Sequence, residues 1–257
     1  MARSRLLSGA VPRLASIAIL LAFWYAAAWL PAKPLLPPPH QVLIYLMQDI
    51  QKPEIWRHLG ATLMRIFLGF GLSMAIAIPF GIALGFSVFA RQLLGSWVVI
   101  GLMIPSLVFI ILAYTSIGLN EFAAVVAAAL AVVWVLTINI WESAKAVDMK
   151  LIQMARVFGL SQLRIVTTVV LPQLAASLMA SARFGLGLVW KMVLFVELLG
   201  RSNGIGYQIE YYHQLFDLGR VLEYTVFFVA IMLLIEVVVL GGIERRLFRW
   251  RPAARLA

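Results

Sequence analysis

None of the 257 residues is cysteine, and Asp, Glu, Lys and Arg together make up only 12% of the chain. The first absence excludes a disulfide framework, a thiolate metal site and a cysteine nucleophile, and it leaves the redox compartment unread. The second excludes an ordinary water-soluble domain, in which about a quarter of the residues are charged. With 63% hydrophobic residues and a mean hydropathy of +0.97, the apolar surplus has to face lipid. Histidine is scarce as well. His40, His58 and His213 show no metal-ligand spacing and no HExxH run occurs, so no metal site is expected. No glycine-rich loop ending in Gly-Lys-Ser or Gly-Lys-Thr is present, so the chain has no phosphate cradle of its own for ATP. The absence of a catalytic cluster points away from an enzyme and from a bound cofactor. Without an internal repeat or a long hydrophilic stretch, residues 1–257 read as a single transmembrane domain.

Apolar sequence is abundant, in runs of membrane length. A bilayer core takes about 20 residues of helix, and backbone polar groups inside it must pair internally, so the runs are read as helices. Six spans are predicted. They are Leu14 to Leu30, ending at the cluster Pro31, Pro34, Pro37, Pro38 and Pro39; Arg65 to Phe89; Leu93 to Ile117, kinked at Pro105; Phe122 to Trp141; Gln173 to Leu199; and Tyr224 to Ile243. The first run has an alternative reading as a secretory signal, with Arg3, Arg5 and Arg13 ahead of it and Ala26 to Ala28 as a cleavage site. Its length exceeds the ~7 to 15 residues of a signal core, and Trp24, Tyr25 and Trp29 suit a membrane interface.

Lys and Arg number 21 against 11 acids, a net charge of +10. In a soluble chain this would suggest nucleic acid. Here the basic residues cluster at the ends of apolar runs, where anionic headgroups and membrane orientation account for them. With the N-terminus inside, thirteen fall on the cytoplasmic side: Arg3, Arg5, Arg13, Arg91, Lys145, Lys150, Arg156, Arg164, Arg245, Arg246, Arg249, Arg251 and Arg255. Six fall outside: Lys33, Lys52, Arg57, Arg65, Arg201 and Arg220. This bias places both termini in the cytoplasm.

Small residues recur at spacing four in the second run, at Ala77, Gly81 and Gly85. They let another helix approach closely, either within the chain or between subunits. Gly185 and Gly187 form a partial dinucleotide-like pattern but lack the third glycine and lie inside an apolar run, which fits helix packing instead.

The cytoplasmic segment of about 142–172, between the fourth and fifth runs, is the most informative. Asp148 can cap a short helix. On it Leu151, Ile152, Ala155 and Phe158 share one face, opposite Lys150, Gln153 and Arg156. Gly159 is placed to end the helix, and Ser161 to start another that leads through Pro172 into the membrane. A short amphipathic helix held between two spans can contact a partner, or it can rest on the membrane surface.

Here the chain resembles the inner-membrane permeases of binding-protein-dependent ABC importers. Their last large cytoplasmic loop carries Glu-Ala-Ala, three residues, Gly, nine residues, then Ile-x-Leu-Pro. The same spacing holds from Gln153-Met154-Ala155 through Gly159 to Val169-Val170-Leu171-Pro172, with departures in residue type at Gln153, Met154 and Val169. The resemblance is to the nitrate, sulfonate, taurine and bicarbonate branch. It extends to Ala146-Val147-Asp148-Met149, Ile117-Gly118-Leu119-Asn120-Glu121, Arg183-Phe184-Gly185-Leu186-Gly187, Glu197, Gly204-Ile205-Gly206-Tyr207 and the tail Trp250-Arg251-Pro252. It implies an all-α membrane protein of six helices, with an amphipathic cytoplasmic coupling helix between helices four and five. It also implies a bacterial inner-membrane location, a second copy of the chain, cytoplasmic ATP-binding cassette subunits, and an extracytoplasmic substrate-binding protein that delivers a small organic or inorganic anion. The residues carried over as contacts to the ATPase are Gln153, Met154, Ala155, Arg156, Phe158, Gly159, Leu160, Leu171 and Pro172.

Charges inside the apolar runs are the remaining signal. An ionised side chain at a helix centre in the bilayer costs about 2.5 to 3.5 kcal/mol on insertion scales, so it faces a cavity or a partner. Arg183, Lys191 and Glu197 in the fifth run are the candidates for a translocation path; the sixth run carries one further charge, Glu236. Lys191 has two readings: an ion pair with Glu197 or Glu236, or a path residue that attracts an anion. The rival to a permease is an ion-coupled secondary transporter or channel, in which Lys191, Glu197 and Glu236 would carry or gate charge themselves.

The topology is directly testable in a chain without cysteine. Single cysteines at Ser4, Ser161 and Ala254 are expected to be shielded from an impermeant thiol reagent added to intact cells, while one at Ser202 is expected to react. Labelling of Ala254→Cys from outside would break the topology.

Overall fold

The computed structural model describes residues 2–29, 36–242 and 246 of the chain. Leu30, Pro31, Lys33, Pro34 and Ile243, most of the basic tail with Trp250, Arg251 and Pro252, and Ala254 lie outside the described residues. All regular structure among the described residues is helical: α1 (Ala2–Trp29), α2 (Pro39–Asp49), α3 (Pro53–Phe86), α4 (Val88–Met103), α5 (Ser106–Ile117), α6 (Glu121–Lys145), α7 (Met149–Val157), α8 (Gln162–Ile165), α9 (Leu171–Gly200), α10 (Ile205–Gln214) and α11 (Leu218–Ile235).

Four rods are long and apolar enough to cross a membrane: α3, α6, the run Gln162–Gly200 and Leu218–Val239. They correspond to the second, fourth, fifth and sixth predicted runs. The third differs. At Ile104 and Pro105 the chain leaves helical geometry, and α4 and α5 meet at a bend of 98°. Proline cannot donate the next helical hydrogen bond, and its ring disfavours helical geometry in the residue before it. The expected kink is therefore a break. The first run is the apolar segment Leu14–Trp29 of α1, shorter than the four rods. Trp24 Nε1 donates to the Pro37 carbonyl at 3.1 Å, and Tyr25 lies 3.2 Å from His40 Nδ1, tying α1 to the start of α2.

Two boundaries move for visible reasons. Helix α3 starts twelve residues before Arg65 because Pro53 supplies a pre-set first helical position. The fifth run starts at Gln162 because Pro172 does not break it. A π turn at Val166–Val170, with Leu171 N–H bonded back to Val166 O, carries the chain past the missing proline donor.

Helix α6 is the hub. Ala123, Ala124, Ala127 and Ala128 are fully enclosed on it, and α3 lies close against that small-residue face. The Ala77, Gly81 and Gly85 stripe is used inside the chain: a Cβ at Gly81 would stand 2.8 Å from Ile140, and one at Gly85 would strike Ala144. Gly185 likewise packs under Leu136, as the packing reading of Gly185 and Gly187 expected at the first of the two.

At one end of the rods, opposite α7, sits a buried charge cluster. Arg65 is fully enclosed and all five of its N–H donors are used. Nε and Nη2 grip Glu121 at 2.8 and 2.7 Å; Nη1 reaches Glu197 at 2.6 Å and the Asn203 carbonyl at 3.0 Å; Nη2 also donates to the Asn203 side chain. Arg201 adds a third bond to Glu121. Glu197, also fully enclosed, accepts from Thr62 at 3.0 Å and from Gly206 N–H at 2.8 Å. Two arginines and two glutamates leave the cluster neutral. Arg65 therefore does not belong among the six outer loop cations; with it removed the basic count is thirteen to five, and the bias keeps its sign.

A second, smaller clamp ties α2 to α11. Arg220 Nη1 lies 2.8 Å from both Asp49 and Glu223, and the guanidinium stacks 4.7 Å from the Tyr45 ring centre. Lys52, outside the rods, bonds Asp49 at 2.7 Å, and that bond raises the pKa of its ammonium.

Removing one member of a buried ion pair strands the other and costs about 3 to 5 kcal/mol. Arg65→Met is expected to lower the melting temperature of the detergent-solubilised protein and its membrane abundance. Arg65→Met combined with Glu197→Gln is expected to recover part of the loss, because less charge is left stranded. An unchanged melting temperature in the single variant would refute the cluster's role.

Candidate functional site

The loop between α6 and α9 is built by caps at each turn. Asp148 Oδ1 accepts from Lys150 N–H at 2.8 Å and starts α7. Asp148 N–H donates to Gln173 Oε1 at 2.9 Å, which fastens the start of α7 to the start of α9. At the other end Gly159 takes φ +71°, Leu160 N–H bonds Ala155 O at 3.1 Å and Gly159 N–H bonds Arg156 O at 2.9 Å. This pair of bonds is a Schellman motif, whose left-handed residue is best met by glycine. Ser161 Oγ accepts from Arg164 N–H at 3.4 Å and caps α8. The capping roles read from Asp148, Gly159 and Ser161 all hold.

The expected apolar face of α7 is only half buried. Ile152 and Ala155 pack with Val147, Ile165, Val170 and Leu174, against Ile82 and Phe86 at the end of α3. Leu151 and Phe158, placed on the same face from the sequence, are exposed, Phe158 at 74%. The body of the chain is wide enough to cover two positions of α7, and Phe158 sits at the C-cap beyond the last helical turn. Exposure extends to Met149, Gln153, Met154, Arg156 and Val157, the last at 86%. Leu160 is half-buried, Leu171 is half-buried and Pro172 is exposed at the start of α9. A cleft of about 780 Å³ opens beside the helix, with Leu151, Met154, Val169, Pro172 and Gln173 in its wall. The carried-over residues thus form one end of the molecule, with Ala155 as the member turned inward.

The three path candidates do not converge. Glu197 is locked into the Arg65 cluster, and the expected ion pair of Lys191 with it does not form, because Arg65, Thr62 and Gly206 already occupy its carboxylate. Lys191 is exposed on α9 and forms no ion pair with Glu236. Arg183 is half-buried and lines a groove of about 130 Å³ between α9 and α11 with Trp190, Met232 and Glu236.

The sequence reading missed the role of Arg65, which it set at the head of the second run and counted among the outer-side cations. The available signal was Glu197: a carboxylate deep in an apolar run needs a cation, and Arg65 stands at the head of another run. It also missed why the Gly204-Ile205-Gly206 segment has its form. Gly204 takes φ +112° and its N–H donates to His58 Nδ1 at 3.0 Å. A Cβ at Gly206 would stand 2.5 Å from the Leu194 carbonyl oxygen.

Known proteins agree with this architecture. A probable ABC transporter permease protein of Brucella abortus is 30% identical over 248 residues, 96% of this chain and 98% of that protein. The taurine transport system permease protein of Escherichia coli K12 is 28% identical over 91% of this chain and 88% of its own length. The inward-facing MetNI methionine ABC transporter contains a chain that superimposes with a TM-score of 0.67 at 19% identity, covering 77% of this chain and 99% of that one; at that identity the likeness is one of fold. The family model of the binding-protein-dependent transport system inner membrane component matches residues 77–250. That match spans more than half of the sequence, and the chain belongs to this family of ABC importer permeases.

Proposed function

We propose that the chain works as one of two copies around a shared passage in a bacterial inner membrane, and that α7 is the helix through which a cytoplasmic ATP-binding cassette subunit drives it. As a member of the permease family it supplies the membrane subunit, and ATP hydrolysis belongs to the partner. In this reading the chain spans the membrane six times with both termini inside. Helix α1 provides the first span, and the broken pair α4 and α5 the third. An extracytoplasmic substrate-binding protein hands over a small anion. The taurine permease among the relatives supports a solute that presents an anionic group, since taurine carries a sulfonate beside its ammonium.

The observation that carries this reading is the build of α7. A nine-residue helix is too short to hold itself in water, yet it is capped at both ends, braced to α9 through Asp148 and Gln173, and buried along Ile152 and Ala155. What it presents outward is an apolar patch of Met149, Met154, Val157 and Phe158, with Gln153 and Arg156 as its polar members. Held rigidly and left uncovered, such a patch suits a hydrophobic groove in a partner. Motion of that partner would then be delivered to α3 and α9 through the contacts under Ile152 and Ala155.

Gly159→Asp separates folding from coupling. No atom lies within 4 Å of a Cβ at Gly159, so the new side chain meets no clash; the left-handed φ strains any side chain there, but aspartate tolerates it better than most residues and the strain is local to the turn. Membrane abundance is therefore expected to stay normal, while ATP-dependent uptake with the partner ATPase falls by about tenfold or more, since about 1.4 kcal/mol at the contact is enough. Cysteine at Val157 is expected to cross-link to the ATPase; cysteine at Ala155, which faces its own chain, is not. Wild-type uptake in Gly159→Asp, or no cross-link from Val157→Cys, would remove the assignment of α7.

A further inference from the structure

Phe184, Lys191, Phe195 and Leu199 follow one another at helical spacing along α9 and are all exposed, the three apolar members by 42 to 50%. Lys191 lies nine residues before Gly200, so about 13 Å of helix separates it from that end, and the stretch back to Leu171 is about 30 Å. A lysine stem does not bridge either distance to the membrane surface. Among the described residues no carboxylate pairs with it: Glu197 is held by Arg65, and Glu236 lines the groove beside Arg183. An outward ammonium at this depth is costly against lipid tails. What covers this stripe in the membrane is therefore hydrated.

Building on the two-copy reading above, we propose that the α9 stripes of the two copies face each other across the passage, and that the paired Lys191 ammonium groups act as its anion-selecting element. A two-fold axis would bring Lys191 opposite Lys191 of the second copy. Phe195, one turn away, and Phe184, two turns away, give the hydrated passage narrow apolar walls. Such walls focus the field of the ammonium pair along the water between them. The passage then discriminates against cations and neutral solutes by itself, in addition to any selection by the binding protein, and Lys191 is the residue that sets the sign.

The test uses the assembled importer in phosphatidylcholine vesicles, with Phe195→Cys as the single cysteine. The probes are the negatively charged sulfonatoethyl and the positively charged trimethylammonioethyl methanethiosulfonates. The negative reagent is expected to react about tenfold faster, the lower end of electrostatic focusing in a charged cleft. Lys191→Met should bring the ratio close to one and Lys191→Arg should restore it. A ratio untouched by Lys191→Met overturns the proposal. So does a cysteine that ignores both charged reagents and reacts with lipid-soluble N-ethylmaleimide, which marks a lipid-facing stripe. If Lys191→Met is lost from the membrane and adding Glu236→Gln recovers it, the lysine is one half of an ion pair and the proposal also fails. The reading on which it rests is checked separately: because a direct disulfide needs Cα atoms within about 7 Å, a bifunctional thiol linker long enough to span the passage is used, and it is expected to join two Lys191→Cys chains into a dimer. Absence of that dimer, with charge-selective labelling intact, overturns the pairing and leaves a passage walled by one copy.

Discussion

The fold turns on one cation held out of water. Arg65 could not be enclosed without carboxylates to meet it, and neither Glu197 nor the buried side of Glu121 could be placed without Arg65. The Coulombic attraction grows as the surroundings become less polar, but so does the penalty for any donor or lone pair left unmet. This explains why the cluster is saturated. Meeting all five guanidinium donors draws on α3, α6, α9 and the 201–204 connection together, which fixes the register of three rods at one end. The cluster supplies specificity of arrangement more than net stability.

Several scattered sequence segments become one object in this light. Ile117 to Glu121 ends in the carboxylate that grips Arg65; Glu197 provides the second; Gly204 to Gly206 turns the backbone so that an N–H reaches Glu197 and another reaches His58. The first segment lies 76 to 89 residues before the other two in the chain, and their shared spatial role gives a physical reason for their forms. The ion-coupled alternative also loses ground here, since it required a Glu197 free to gate charge.

The legibility of the chain followed the range of the interactions. Caps and turns act over three to five residues, so Asp148, Gly159 and Ser161 could be assigned from their neighbours alone. The long rods were legible from composition, because a sustained apolar run leaves few alternatives in lipid. Break and bend were harder. Pro105 and Pro172 look alike in the sequence, yet one divides two helices at 98° and the other is absorbed by a π turn. The difference lies in the backbone around each proline, a break at Ile104–Pro105 and a widened turn ahead of Pro172, which the residue type alone does not announce. Arg65 was hard to read because its partners are 56 and 132 residues away, so that only the need of Glu197 for a cation hinted at it. The two exposed members of the α7 face, Leu151 and Phe158, show that periodicity identifies an apolar side without saying how much of it the body covers.

The two ends of the long rod Gln162–Gly200 are held by different forces. At the Glu197 end the contacts are short and directional, and slipping would strand charge. At the α7 end a single hydrogen bond, Asp148 N–H to Gln173, accompanies apolar contacts around Ile152 and Ala155, which have no preferred direction and tolerate small sliding at little cost. A rod pinned by charge at one end and held more loosely at the other is a lever. Its 39 residues give an arm of about 58 Å at 1.5 Å per residue. A push of about 3 Å at α7 would tilt that arm by only about 3°, so the rod converts a displacement on the scale of a side-chain contact into a rotation small enough to leave the pinned end intact.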